Sequence, residues 1–337
     1  MTSDFAEIHD ELRAVARELL GKAGADVDGR QIADAGWLGL EIPESLGGAG
    51  ASFVETALIL EELGRAAATS RYLGTVLAVG ALRAVAPNES RDALLSDVGA
   101  GTTTAALVTG PFQLDHTAGG IRLTGRAEFV PDAVDADRLL VVADDGGVAV
   151  LVDAAGLTVT AQPVLDQTRR LAVVHADGDA VDETALWPVD DAAAAQLHDR
   201  AAVAIACDSL GVSEAMLAAT VDYAAVRHQF GRPIGSFQAV KHACADMLVR
   251  ISVARQLVGA AVAELADGAD ASVAASMAKS YACSAAVDVV GKAMQLHGGI
   301  GYTWESGVHV YLKRAALNRS LFGSPAWHRR RLAARYG

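Results

Sequence analysis

Two turns in the C-terminal third gather the residues with the greatest chemical capacity. The first is R-H-Q-F-G, Arg227 to Gly231. Its guanidinium can make charge-assisted hydrogen bonds to a pyrophosphate. Gln229 adds a polar contact, Phe230 an aromatic face, and Gly231 lets the backbone turn. The second is Q-L-H-G-G-I-G, Gln295 to Gly301. There the Gly298–Gly299 pair allows backbone to approach a ligand closely, and Gln295 can bond a ribose or a phosphate. Each turn also has a plain reading: an interhelical turn with an exposed arginine, and a His297 that is packed rather than catalytic. A third stretch, S-L-F-G-S-P-A-W-H-R-R from Ser320 to Arg330, contains no carboxylate.

Other chemistries find less support. Cys207, Cys244 and Cys283 form no C-x-x-C and lie in Ala-rich stretches, so they read as small core residues and no metal site is expected. The net charge of −13 argues against nucleic acid as a partner. Against that acidity, the segment from Lys313 to Arg335 carries cations and no Asp or Glu. It reads equally as helix ends that complement the dipole and as a contact for an anionic cofactor, a CoA group or a partner. No apolar run of membrane-spanning length is free of Asp, Glu, Lys and Arg, and the start M-T-S-D-F-A-E-I-H-D-E-L lacks the pattern of a secretory signal. A soluble, cytoplasmic protein with no membrane partner is the expectation.

Three kinds of segment must position these turns. From about Ser3 to Leu95 the spacing predicts helices, beginning with the apolar stripe Phe5, Ile8, Leu12, Val15 and Leu19. The stretch Trp37 to Gly50 interrupts them, its Pro43 and its Gly47, Gly48 and Gly50 marking a loop, and a helix from Phe53 to Leu63 follows. Between Gly101 and about Asp190, short β-rich runs alternate with Gly, Asp and Pro, and D-D-G-G at Asp144 to Gly147 signals a hairpin. Beyond Asp191 the chain is helical again, with long helices over Ala192–Arg227, Ser236–Ala266 and Ser272–Leu296, then a final helix. The predicted fold is α+β, mostly α: an N-terminal helical domain (1–98), a small middle β-barrel or sandwich (99–190) and a C-terminal four-helix bundle (191–337).

That order, with Y-A-A-V-R-H-Q-F-G-R-P-I-G-S-F-Q-A-V-K-H-A-C-A-D-M and Q-L-H-G-G-I-G-Y, resembles the acyl-CoA dehydrogenase family over essentially the whole chain. I-P-E-S-L-G-G-A-G and E-E-L-G-R match its N-terminal half. The resemblance implies FAD shared between two subunits and α,β-desaturation of an acyl-CoA: a carboxylate removes the α proton and the β hydrogen leaves as hydride to the flavin. It also implies that Arg227, Gln229, Phe230, Gly231, Ile234, Phe237, Gln238, Gln295, Gly298 and Gly299 hold the adenine and pyrophosphate half of the FAD.

The other half departs from the family pattern. Where the family carries T-E-P-x-x-G-S-D, this chain has L-V-T-G-P-F-Q-L-D-H-T, keeping Thr109 and Pro111 and losing the acid and the G-S-D. Its W-I-T or W-I-S segment, which backs the flavin ring, is here F-V-P at Phe129 to Pro131, and proline offers no N–H. Matching from Arg314 puts Gly323 on the family's catalytic Glu, so no catalytic residue is assigned. Some members place the base on the first bundle helix; there Ala201 and Ala202 fall nearest, and Asp199 is the remaining candidate, with a plain reading as a helix N-terminal carboxylate.

The resemblance therefore implies the small, non-catalytic subunit of an actinobacterial α2β2 acyl-CoA dehydrogenase of the steroid side-chain type. Its partner would be the catalytic subunit, its substrate in the complex an acyl-CoA, and its electron acceptor an electron-transfer flavoprotein. Two alternatives stay open: a self-sufficient homotetramer with a displaced base, and a non-enzymatic scaffold that keeps the fold.

Overall fold

A computed structural model describes residues 2–24, 26–146, 148–154 and 156–336. The chain forms two compact units: Val27–Thr56 with Ser70–Ala201, and Met1–Asp26 with Ala57–Thr69 and Ala202–Gly337. Helices come first: α1 (Thr2–Ala23), α2 (Gly29–Asp34), α3 (Phe53–Arg65), α4 (Tyr72–Ala84) and α5 (Glu89–Gly99). Strands β1 (Ala105–Thr117), β2 (Gly120–Pro131), β3 (Arg138–Asp145), β4 (Val148–Ala154), β5 (Thr158–Ala161), β6 (Leu171–Val181) and β7 (Leu186–Pro188) follow. The chain ends with α6 (Asp191–Val226), α7 (Gln238–Ala266), α8 (Ser272–His297), α9 (Val308–Ser320) and α10 (Pro325–Tyr336).

In the first of these units the β-branched and leucine-rich runs build one mixed sheet, ordered β5-β6-β2-β1-β3-β4-β7. Only β1 and β3 pair in parallel. Alternation turns Phe112, Leu123, Val141, Val152 and Val174 into one core. The predicted hairpin forms: Asp145 pairs with Val148, and Gly146 supplies a φ of 62°. Gly147 of that signal lies outside the described residues. Helix α4 is buried along nearly its whole length.

The loop after Trp37 is tied down by Glu41, a buried carboxylate. It accepts from Thr56 Oγ1 at 2.7 Å, Arg83 Nη1 at 2.7 Å and Arg200 Nη1 at 3.0 Å. Burial would raise its pKa, but the charge and hydrogen bonds of Arg200, with Thr56 and Arg83, bring it below the usual carboxylate range.

In the other unit α8 packs against α7, α9 and α10. Arg314 on α9 is 1% exposed and donates its Nε to Asp208 Oδ1 at 3.0 Å and its Nη2 to Oδ2 at 2.6 Å. Asn318 Nδ2 adds a bond to Asp208 at 2.6 Å. A glycine is obligatory at 211, where a Cβ would stand 1.9 Å from the Glu61 carbonyl.

Helix α1 forms where the stripe predicts it, but not on that stripe's face. Ile8 and Val15 are about half exposed, at 54% and 53%, whereas Ala16 and Leu20 are buried. The Phe5 side chain lies outside what is described. Periodicity announces a helix; which edge of its apolar arc is covered depends on the neighbours. Helix α6 contains a window long and apolar enough to cross a membrane, and 78% of that window is buried within the protein.

Candidate functional site

At the C-terminal ends of α6 and α8, Tyr223 stacks on His297, with ring centroids 4.5 Å apart and planes at 19°. The Tyr223 hydroxyl also donates to the His297 carbonyl at 3.3 Å. His297 Nδ1 meets the Ala293 carbonyl at 2.8 Å, so the imidazole is a packed link between helices. This link brings the R-H-Q-F-G and Q-L-H-G-G-I-G turns to one end of the bundle. Sequence reasoning misses Tyr223; its signal is an aromatic four residues before Arg227, on the same helical face.

The first turn is a tight hairpin in which His228 pairs with Pro233 and Gln229 with Arg232. Phe230 and Gly231 both have positive φ, 52° and 75°. The result is a displayed ring: Phe230 is 90% exposed, edge-on to Phe237 at 6.2 Å. Arg232 lies 4.2 Å over the Phe237 ring. Ile234 is buried and anchors the turn through its N–H to the Arg227 carbonyl at 2.7 Å. Gln238 begins α7 and is exposed. Among the described residues the exposed side chains of Arg227 and Gln229 have no partner within the chain. On the second turn Gln295, Gly298 and Gly299 are exposed; Gly298 takes a φ of 63° and its backbone is open, with nothing within 4 Å of where a Cβ would stand. Ile300, Tyr302 and Trp304 continue this exposed surface.

These residues fit the adenosine diphosphate half of FAD. A free cation, a displayed aromatic face and bare backbone are what phosphates and a purine need.

The segments that the resemblance sets against the flavin ring are different in kind. Both are β-bulges in the sheet unit. One interrupts the β1–β3 register between Thr109 and Phe112, the other the β2–β6 register between Ala127 and Val130. Where the family pattern has a loop, β1 here runs on to Thr117 and pairs with β2 from Phe112–Gly125 to Thr117–Gly120. Phe112 is buried in the sheet core. The second bulge holds Phe129 at φ 58°, and Asp132, just past the end of β2, takes a φ of 59°. Phe129 N–H donates to Gln162 Oε1 at 2.7 Å, Asp132 N–H donates to the Arg170 carbonyl at 2.9 Å, and Pro131 has no N–H. The Asp132 carboxylate accepts from Gly74 N–H at 2.8 Å, capping the first turn of α4. Its pKa is pushed up to about 6, chiefly by burial. With its donors spent inside the chain, this segment does not fit a flavin ring.

Of the two positions considered for a base, Gly323 is half-buried and Asp199 is buried. Gly323 stands in the turn between α9 and α10, at φ 93°. Asp199 is 2% exposed on α6, beside Arg200, whose guanidinium is engaged with Glu41. Cys207 and Cys283 are buried, and burial raises both thiols, as it does the half-buried Cys244. Among the described residues no cluster of His, Cys, Asp and Glu could hold a metal ion.

The model of the acyl-CoA dehydrogenase N-terminal domain matches residues 2–102, and that of the C-terminal domain matches 192–337. Acyl-CoA dehydrogenase IpdE2 of Mycolicibacterium smegmatis is 37% identical over 88% of this chain and 83% of its own length. A chain of the ChsE4-ChsE5 complex from Mycobacterium tuberculosis superposes with a TM-score of 0.89 at 28% identity, over 97% of this chain and 96% of that one. A chain of the Tcur3481-Tcur3483 steroid acyl-CoA dehydrogenase gives 0.86 at 28% identity, over 98% and 97%. Sequence motifs, fold and relatives converge: the chain belongs to the acyl-CoA dehydrogenase family, whose enzymes are FAD-dependent oxidoreductases acting on CH–CH bonds.

Proposed function

We propose that this chain is the non-catalytic subunit of a heteromeric acyl-CoA dehydrogenase. It contributes Arg227, Gln229, Phe230, Gly231, Ile234, Phe237, Gln238, Gln295, Gly298 and Gly299 to the adenine and pyrophosphate half of an FAD. A catalytic partner subunit holds the flavin ring and supplies the base. When bound, the FAD accepts the hydride; this chain's own part is to bind and orient the far end of the cofactor.

One observation carries this reading. On the first bundle-end turn Arg227, Gln229 and Phe230 are exposed, and among the described residues the Arg227 and Gln229 side chains have no partner within the chain, whereas Phe129 and Asp132 spend their N–H donors internally and Pro131 has none. Both structural neighbours at 28% identity are described as two-component assemblies, which supports an unlike partner and an α2β2 particle. One is described as a steroid enzyme, which supports a steroid side-chain CoA thioester as the substrate of the complex. The proposal includes a cytoplasmic location, electron-transfer flavoprotein as acceptor, and a division at 98/99 and 190/191 that brackets the strands Ala105–Pro188.

The test is to purify the chain alone and with its genomic neighbour, and to record flavin absorbance and particle mass. A colourless lone chain and a yellow complex with about one FAD per unlike pair are expected. A yellow, active homotetramer would overturn the proposal and return attention to Asp199.

A further inference from the structure

The turn that carries Gly323 is held by groups that no catalytic role explains. Lys279 on α8 is fully buried, and among the described residues it has no carboxylate partner. Its Nζ donates to the Gly323 carbonyl at 2.9 Å and reaches the Arg319 carbonyl, on the last turn of α9, at 3.4 Å. Burial pulls the ammonium below the usual lysine range. A lysine kept dry at that cost serves the carbonyls it touches.

From the other side His328 Nε2 donates to the Phe322 carbonyl at 2.9 Å. Its other nitrogen, Nδ1, lies 3.3 Å from Ser276 Oγ, so the ring is held from both edges. Two successive carbonyls of the turn are thus drawn inward, with Phe322 at φ 51° and Gly323 at φ 93°.

The space beside Gly323 is already filled. A Cβ there would lie 2.8 Å from Trp327 Cε3 and 2.9 Å from His328 Nε2. Those rings brace each other edge to face at 4.8 Å. The glycine is required twice over, by conformation and by contact.

We infer that Lys279 and His328 are positioning residues that lock the Leu321–Ser324 turn shut over position 323, so that a carboxylate base cannot be restored there by a single substitution. This rests on the reading that no base works from this turn, and it adds that the loss is built into the packing around the turn.

The test compares glycines in the full-length chain. Gly268 also has positive φ, 68°, but nothing lies within 4 Å of its would-be Cβ, so Gly268→Ala measures conformational strain alone. Gly323→Ala should lower the melting temperature by about 2–4 °C more than Gly268→Ala does, the usual scale for overpacking. Trp327→Ala, which removes one wall, should recover part of that excess. Lys279→Met, which unlatches the turn, should also shrink it. In the complex with its partner, Gly323→Glu should add no substrate-reducible flavin per particle. Equal losses at Gly323 and Gly268, or an additional reducible flavin in the Gly323→Glu complex, would overturn the lock. A yellow wild-type lone chain would refute the non-catalytic reading, yet the glycine comparison would still decide whether the turn is locked.

Discussion

The bundle end and the bulged strands hold the same kinds of atoms in opposite states. Among the described residues the exposed Arg227 and Gln229 side chains have no partner in the chain, and Gly298 and Gly299 present exposed backbone. Around Phe129–Asp132 the same kinds of donor are consumed at home, by Gln162 and by the Arg170 carbonyl. On the proposed reading, donors that would face the flavin are satisfied by the chain itself. The turn at Gly323 follows the same course with Lys279 and His328. If the proposal holds, exposed groups with no internal partner are surface kept for the cofactor, and self-satisfied ones are surface withdrawn from it.

The largest effect should come from breaking the frame of the bundle itself. Arg314→Ala leaves Asp208 buried beside Asn318 without its cation, and should cost about 3–5 kcal/mol in urea unfolding. An Arg314→Ala chain as stable as wild type would mean that α9 is not held by this pair.

Asp132 gives the next effect, and its sign depends on pH. Its folded pKa of about 6 lies above the ordinary aspartate value of 3.8, so the folded chain binds this proton more tightly than the unfolded one. The resulting stability is fully present below about pH 4 and is lost as pH rises through 6. Asp132→Asn keeps an oxygen for Gly74 N–H and suits a positive φ. It should match wild type near pH 4 and exceed it by up to about 3 kcal/mol at pH 7.5. Glu41 works in the opposite direction, its stability being lost as pH falls through its lowered folded pKa, but it is common to both chains and cancels. Parallel pH profiles for the two would show that the capping carboxylate is not strained by burial.

Much of this contrast is legible in the residues themselves. F-V-P announces a missing N–H, and the absence of a carboxylate near Gly323 is visible at once. The helix Ser272–His297 is legible as an Ala-rich run without proline. What sequence cannot supply is the second half of each pairing. Gln162 lies 33 residues from Phe129, and Lys279 lies 44 from Gly323. Nothing local in Q-P-V-L-D or S-M-A-K-S shows that either side chain closes a distant turn. The same limit misplaces the face of α1, because burial at Ala16 rather than Val15 is decided by what packs against the helix. The L-V-T-G-P-F-Q-L-D-H-T segment reads as the counterpart of a family loop, whereas Phe112 carries the strand through it into the core.

On the open side the expected effects appear in cofactor binding rather than in folding. Arg227→Ala removes a charge-assisted contact worth about 1.5–3 kcal/mol, or roughly 10- to 100-fold in affinity. The complex should therefore lose FAD on gel filtration, with the melting temperature of the lone chain unchanged. An FAD titration of the complex measures the first and a thermal scan of the chain the second. Undiminished flavin content would place the pyrophosphate elsewhere.

Phe230 gives the smallest effect in stability and the sharpest division between the two regions. A buried phenylalanine such as Phe112 costs about 3–5 kcal/mol when cut to alanine. Phe230 displays 90% of its surface and meets Phe237 edge-on, and its φ of 52° is no easier for alanine. Phe230→Ala should therefore shift unfolding by no more than about 0.5 kcal/mol, as for an ordinary surface position. A ring shown to water without structural benefit is maintained by what binds it, so the same variant should weaken FAD retention in the complex. If Phe230→Ala instead destabilised the lone chain as Phe112→Ala does, the ring would belong to the fold, and the bundle end would be no more open than the bulges.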